Sequence, residues 1–232
     1  MVASAFSRDP KCARGTVLVA RRTMPTSIGH ALGGYAAADI TADSGGRRPP
    51  LAAFLFLAIF VANVPDLDFV PGYLLGHAER FHRGASHSVL GGVLATLVLA
   101  PLAGRLFGGS LRRWAFLVSA VYASHLILDL LMRDPTGGPG IAFFWPFIDT
   151  RLALNIPGQQ LLDPFRTLQP GFFGNGFPRA LLRWNTVQVF LVDGILVAPL
   201  VLATSWWRSR ARPRPDSSMT TVTSVVSQRA PG

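Results

Sequence analysis

Three short motifs carry the side chains of this 232-residue chain that could do chemistry. Their acids and imidazoles are Asp66, Asp68, His82, His87, His125 and Asp129. Imidazole and carboxylate without thiolate suit Zn, Mn or Fe, and a single cysteine excludes both an internal disulfide and a cysteine-based finger. The motifs therefore predict a site for a divalent metal, with zinc as the first choice.

The spacing within two of the motifs favours convergence. His125 and Asp129 are four residues apart, so on a helix they share one face. Pro65 precedes Asp66 and disfavours continued helix before it. A turn there would offer one carboxylate to a metal and leave the other, Asp68, for a second ion or a hydrogen bond.

His82 and His87 need a break between them. On a regular helix, residues five apart would diverge by about 140°. Gly84 is predicted to interrupt the helix and Ser86 to cap the next one, which would let the two imidazoles converge.

The elements that must position these groups are membrane helices. The chain is 50% hydrophobic and only 15% charged, against about 25% charged for soluble domains, which argues against a soluble enzyme. Four apolar segments could cross a bilayer, at 51–67, 88–104, 114–132 and 187–207, with a shorter fifth at 27–40. The predicted fold class is all-α, a polytopic membrane bundle of four transmembrane helices plus a short N-terminal helix.

The charge distribution predicts both organisation and orientation. Net charge is +10, but arginines lie at the edges of apolar runs, which favours a membrane protein over a nucleic-acid partner. Residues 1–23 and 208–232 are predicted to be disordered basic tails around a membrane-embedded domain at 24–207. Arginine-rich segment ends are cytoplasmic by the positive-inside rule, so the three motifs lie near the extracytoplasmic face, with Phe144, Trp145 and Phe147 in an interfacial aromatic belt.

The ordered motifs resemble those of a known family. They are Asn63-Val-Pro-Asp66-Leu-Asp68, His82-Arg83-Gly84-Ala-Ser86-His87-Ser88, Ser124-His125-Leu-Ile-Leu-Asp129 and Phe144-Trp145-Pro146-Phe147. Over about residues 24–150 the chain resembles the YdjM-like family of bacterial inner-membrane metal-dependent hydrolases. The resemblance implies a membrane-bound hydrolase and adds an early histidine, His30, to the metal ligands.

The ligand set exceeds what one catalytic zinc needs, which is three protein ligands and an open position. One or two ions are therefore expected, and two adjacent metals would suit phosphoester hydrolysis. Asp68 is a candidate general base, and Arg83 could meet an anionic substrate group, a lipid headgroup or a carboxylate. The expected substrate is amphiphilic, such as a phospholipid or a lipid-linked phosphate in the surrounding membrane.

Two other interpretations remain open at this point. One is a non-catalytic membrane scaffold with a structural metal site and basic tails that bind a partner or anionic lipid. The other is an ion or proton pathway, which is less favoured because the polar groups cluster at one depth.

Overall fold

The computed structural model describes residues 26–42, 49–75, 81–131, 140–154 and 184–211. Its helices are α1 (Ser27–Thr41), α2 (Leu51–Asn63), α3 (Pro65–Leu74), α4 (Val89–Phe107), α5 (Leu111–Leu131) and α6 (Trp184–Ala211). Among the described residues, the only β pairing is a single bridge between Ile141 and Leu152. The predicted all-α class is confirmed.

In the part of the chain that the structure describes, three helices, α4, α5 and α6, are long and apolar enough to cross a membrane. Helices α2 and α3 pass the same test together as a span bent by 44°. The predicted four spans plus a short N-terminal helix therefore agree with the structure when the bent pair is counted as one span.

The bend between α2 and α3 has an identifiable cause. Pro65 supplies no N–H and begins a 3-10 turn that carries Asp66 and Asp68. Before it, α2 loosens into a π-helical turn at Phe56–Phe60 and then a 3-10 turn at Val61–Asn63. Regular α-helix is therefore interrupted at the residues that carry the two acids.

Helix α1 lies between α2, α5 and α6, and small residues allow this close packing. A Cβ placed on Gly34 would lie 2.6 Å from the Ala62 Cβ of α2 and 3.1 Å from Val121 of α5. Thr26 caps the helix, since its hydroxyl accepts from the Gly29 N–H. The close packing at Gly34 brings His30, one turn earlier on α1, near α2 and α5.

Helices α4 and α5 form an antiparallel hairpin. Thr96 of α4 hydrogen-bonds Ser119 of α5 at 3.1 Å, and Phe107 packs on Trp114 beside the turn. The start of α4 and the end of α5 therefore lie at the same level, which brings His87 towards His125. Ser88 caps α4 by accepting from Gly91 N at 2.9 Å, so the predicted cap at Ser86 is wrong by two residues.

Residues 140–154, here called the aromatic segment, pack against residues 81–88, the histidine loop that precedes α4. Ala142 N donates to the Arg83 carbonyl at 3.1 Å, and Val89 N donates to the Phe143 carbonyl at 2.9 Å. Trp145 is 41% and Phe147 83% exposed. These aromatics are exposed and the hydrogen bonds hold their segment beside the histidine loop, whereas their place in an interfacial belt stays a prediction.

Helix α6 runs beyond the predicted span at both ends and continues into the stretch from 208 that was predicted as a tail. There Arg208 is buried and forms an ion pair with Asp39 of α1. The remainder of both predicted tails, residues 1–23 and 212–232, lies outside the described residues.

Candidate metal centre

His125 and Asp129 share the inner face of α5, as their spacing predicts. His125 Nδ1 lies 2.7 Å from the Ala62 carbonyl, which can only accept, so Nδ1 carries the proton. The other ring nitrogen, Nε2, faces the remaining predicted ligands, here called the cluster, and lies 3.4 Å from Asp129 Oδ2. A carbonyl that orients a histidine in this way is the usual support of a metal ligand.

His87 meets the same groups from the loop before α4. Its Nε2 lies 3.2 Å from His125 Nε2, 3.2 Å from Asp129 Oδ2 and 3.4 Å from Asp66 Oδ1. Burial alone would lower the pKa of His87, but hydrogen bonds with Asp129, Asp66 and Asp68 outweigh it and raise the pKa well above the ordinary value. The surroundings of His87 therefore favour a positive charge, as a cation site requires.

Asp68 holds the histidine loop in place. Its Oδ1 lies 3.1 Å from His82 Nδ1, and its Oδ2 accepts from Arg83 N at 3.1 Å and from the Ser86 hydroxyl at 2.7 Å. The same Oδ2 is 3.2 Å from His87 Nδ1. One carboxylate thus fixes the direction of both imidazoles.

His30 of α1 and His82 of the histidine loop complete the cluster. The His30 ring stacks on His125 with centroids 3.7 Å apart, and its Nε2 lies 3.7 Å from Asp129 Oδ1. The His82 ring stacks on Phe69 at 3.9 Å and meets the His87 ring edge-on. Each ring is therefore held by a flat aromatic neighbour.

The donor atoms fit a divalent ion. Within the described ranges, three overlapping sets each have ligand atoms within 4.8 Å of one another: His30, Asp66 and His125; Asp66, His82 and His87; His87, His125 and Asp129. The buried His30 Nδ1 has no hydrogen-bond partner among the described residues. All six predicted ligands belong to at least one set, and three ligands are what a catalytic zinc uses. The cluster could hold one or two ions, whereas the identity of the metal stays a prediction.

Arg83 lies behind the cluster. Its backbone has a positive φ of 60°, its side chain is buried, and its Nη2 lies 3.8 Å from Asp129 Oδ1. Of the contacts expected for Arg83, the structure shows the one with a carboxylate. A contact with an anionic substrate group stays a prediction.

Two residues near the site were not among the predicted site residues. The Tyr122 hydroxyl donates to the Ser86 carbonyl, and its position three residues before His125 on α5 is the signal that would have found it. Asp193 of α6 accepts from Thr26 N at 2.6 Å. From the sequence, Asp193 is an acid in an otherwise apolar helix, which predicts either a partner of the metal ligands or an interhelical hydrogen bond; the structure shows the hydrogen bond, with α1 as the partner helix.

Comparison with known proteins places these motifs in a family. The profile of the YdjM inner membrane protein family matches residues 24–213. The chain is 29% identical over 198 residues to the inner membrane protein YbcI of Escherichia coli (strain K12), covering 81% of this chain and 100% of that protein. No solved structure matches. Together with the membrane-spanning helices, the match shows that the chain belongs to the YdjM inner membrane protein family.

Proposed function

We propose that the protein is a membrane-bound metal-dependent hydrolase that cleaves a phosphoester or another ester of an amphiphilic substrate. The observation that carries the proposal is the convergence of three imidazoles and two carboxylates, from four separate segments, around His87 and His125. A bound divalent ion would supply Lewis acidity towards an ester oxygen and would acidify a water molecule.

The exposure of each side chain indicates which residues would bind the ion and which would face the substrate. His30, His87, His125 and Asp129 are buried and would hold the ion. Asp66 is the most exposed of these ligands, at 20%, and would face the substrate. The hydrogen bonds at Asp68 favour a positioning role over that of general base, because its oxygens already accept from the histidine loop.

Apolar surface beside the site supports an amphiphilic substrate. Leu67, between the two aspartates, is 52% exposed, and Phe81, next to His82, is 40% exposed. The histidine loop contacts α3 through Phe69 on one side and the aromatic segment through Ala142 on the other. Both of these neighbours carry exposed apolar side chains. A phosphate ester on an acyl or polyprenyl chain matches polar ligands set within such a surface.

The site is proposed to open at the extracytoplasmic face. It lies at the opposite end of the α4–α5 hairpin from Arg105, Arg112 and Arg113, which the positive-inside rule assigns to the cytoplasm. A cysteine introduced at Thr150, an exposed residue of the aromatic segment, should react with an impermeant maleimide in whole cells when Cys12 is replaced by serine.

The test of the enzyme proposal is release of phosphate or headgroup from lipids by purified protein with Zn or Mn. Wild type should act on phospholipids or on undecaprenyl-type phosphates, and His87→Ala should be inactive although inserted. Activity confined to water-soluble esters would contradict the proposed amphiphilic substrate. Absence of turnover on any ester, with metal bound, would contradict the proposed hydrolase activity.

A structural metal site is the second candidate function, with the protein as a scaffold. It is favoured by the burial of His30, His87, His125 and Asp129, each of which is at most 3% exposed, because structural sites are closed. On this account His87→Ala unfolds the protein, and deletion of residues 212–232 abolishes partner binding. An enzyme would keep its fold with His87→Ala and its activity with the deletion.

A further inference from the structure

Helix α6 contributes no ligand to the predicted cluster. Two polar contacts join it to α1, one near each end of α1. Near the start of α1, Thr26 N donates to Asp193 Oδ2 at 2.6 Å. Near its end, Asp39 pairs with Arg208. All four residues are at least 91% buried. The two contacts differ in their distance from the cluster, because only the first lies within one turn of His30.

Two consecutive hydrogen bonds connect Asp193 to His30. The backbone N–H of His30 donates to the Thr26 carbonyl at 3.0 Å, and the backbone N–H of Thr26 donates to the Asp193 carboxylate. Gly29, between them, lies next to Asp193, since a Cβ placed there would be in van der Waals contact with the carboxylate at 3.6 Å. N–H groups at a helix start have no acceptor within the helix, and a carboxylate is favoured there by the helix dipole.

We propose that Asp193 is a positioning residue of the metal centre, which fixes the first turn of α1 so that the His30 ring stacks on His125 and faces Asp129. The inference rests on the proposed metal site and extends it to a helix that supplies no ligand. Asp193 touches neither metal nor substrate in this account and acts through His30.

The first experiment measures metal affinity of the full-length protein in detergent, with Co²⁺ and Zn²⁺ in competition with a chromophoric chelator. Asp193→Ala should weaken binding by about 10- to 100-fold, the range found when groups that orient a ligand are removed. Asp193→Asn keeps an oxygen that can accept from Thr26 N, so it should bind as wild type does. Thr204→Val is the matched control, because Thr204 is buried on the same helix and donates to the Val201 carbonyl of that helix.

A double-mutant cycle separates positioning from general destabilisation. If Asp193 acts through His30, then Asp193→Ala should weaken binding in wild type and have no further effect in His30→Ala. Arg208→Gln loosens the same helix pair far from His30, so it should lower the unfolding temperature and leave metal affinity unchanged. An equal loss of affinity from Asp193→Ala in both backgrounds, or from Arg208→Gln, overturns the proposal.

The remaining outcomes distinguish this inference from the function on which it rests. If wild type binds neither ion, the metal site and the inference both fail. If wild type binds and Asp193→Ala binds equally well, only the inference fails. Should Asp193→Ala not insert, Thr26→Pro removes the donor from the other helix, with Thr26→Ala as its control; equal affinities of these two variants also overturn the proposal.

Discussion

Replacing Asp68 by asparagine distinguishes a positioning carboxylate from a general base. The substitution keeps the shape but leaves one acceptor oxygen where two now serve His82, the Arg83 amide and the Ser86 hydroxyl. Hydrogen bonds to a charged group contribute about 1.5–3 kcal/mol each, and they are not additive because all three hold one loop. We expect metal affinity to fall by about 10- to 100-fold, which is about 1.4–2.8 kcal/mol.

The assay is the same chelator competition, together with turnover on a lipid ester at saturating metal. Ser88→Ala is the control in the same loop, because Ser88 caps α4 by accepting from Gly91 N. It should cost about 1 kcal/mol of stability and leave metal affinity unchanged. If Asp68→Asn binds metal as wild type does and loses turnover at saturating metal, Asp68 is the base and the positioning role is refuted.

Four further predictions concern packing, metal and membrane. Gly34→Leu should destabilise the protein by about 1–3 kcal/mol, because even a Cβ there meets Ala62 at 2.6 Å; thermal unfolding in detergent should show no such loss for Gly194→Ala, whose nearest neighbour would be 4.0 Å away. Chelation should lower the unfolding temperature, since a ligand at 100 times its Kd contributes about 2.7 kcal/mol; an unchanged temperature would argue against a native metal. Zn²⁺ affinity should rise with pH through neutrality, because the raised pKa of His87 means that metal must displace a proton; a flat titration would contradict a ligand role for His87. Phe147→Ser should slow hydrolysis of lipid in vesicles and leave hydrolysis of a short-chain soluble ester unchanged, whereas Thr150→Ala, in the same segment, should change neither rate. Equal effects of Phe147→Ser on both substrates would contradict a role of the aromatic segment in lipid access.

Much of the site could be predicted because its motifs are local. The four-residue spacing of His125 and Asp129 fixes a shared helix face, and Pro65 marks the turn that carries Asp66. The apolar lengths were equally readable, since a bilayer requires about 20 residues of helix.

The rest depends on packing between distant segments. The small residues of α1 predict close helix packing, but that Gly34 meets Ala62 of α2 and that His30 stacks on His125 follow only from the fold. Asp68 receives its hydrogen bonds from residues 14 to 18 positions later, so its part in orienting the loop follows only from the fold. Ser86 was predicted as a helix cap, but its hydroxyl bonds Asp68 and leaves capping to Ser88.

Metal analysis of the detergent-purified protein shows whether the cluster binds metal, with wild type beside Asp66→Ala and with Thr204→Val as a folded control. We expect one or two Zn, Mn or Fe ions per chain in wild type and control, and a clear loss in Asp66→Ala. Wild-type protein without stoichiometric metal, after purification free of chelators and with Zn²⁺ supplied, would contradict this expectation.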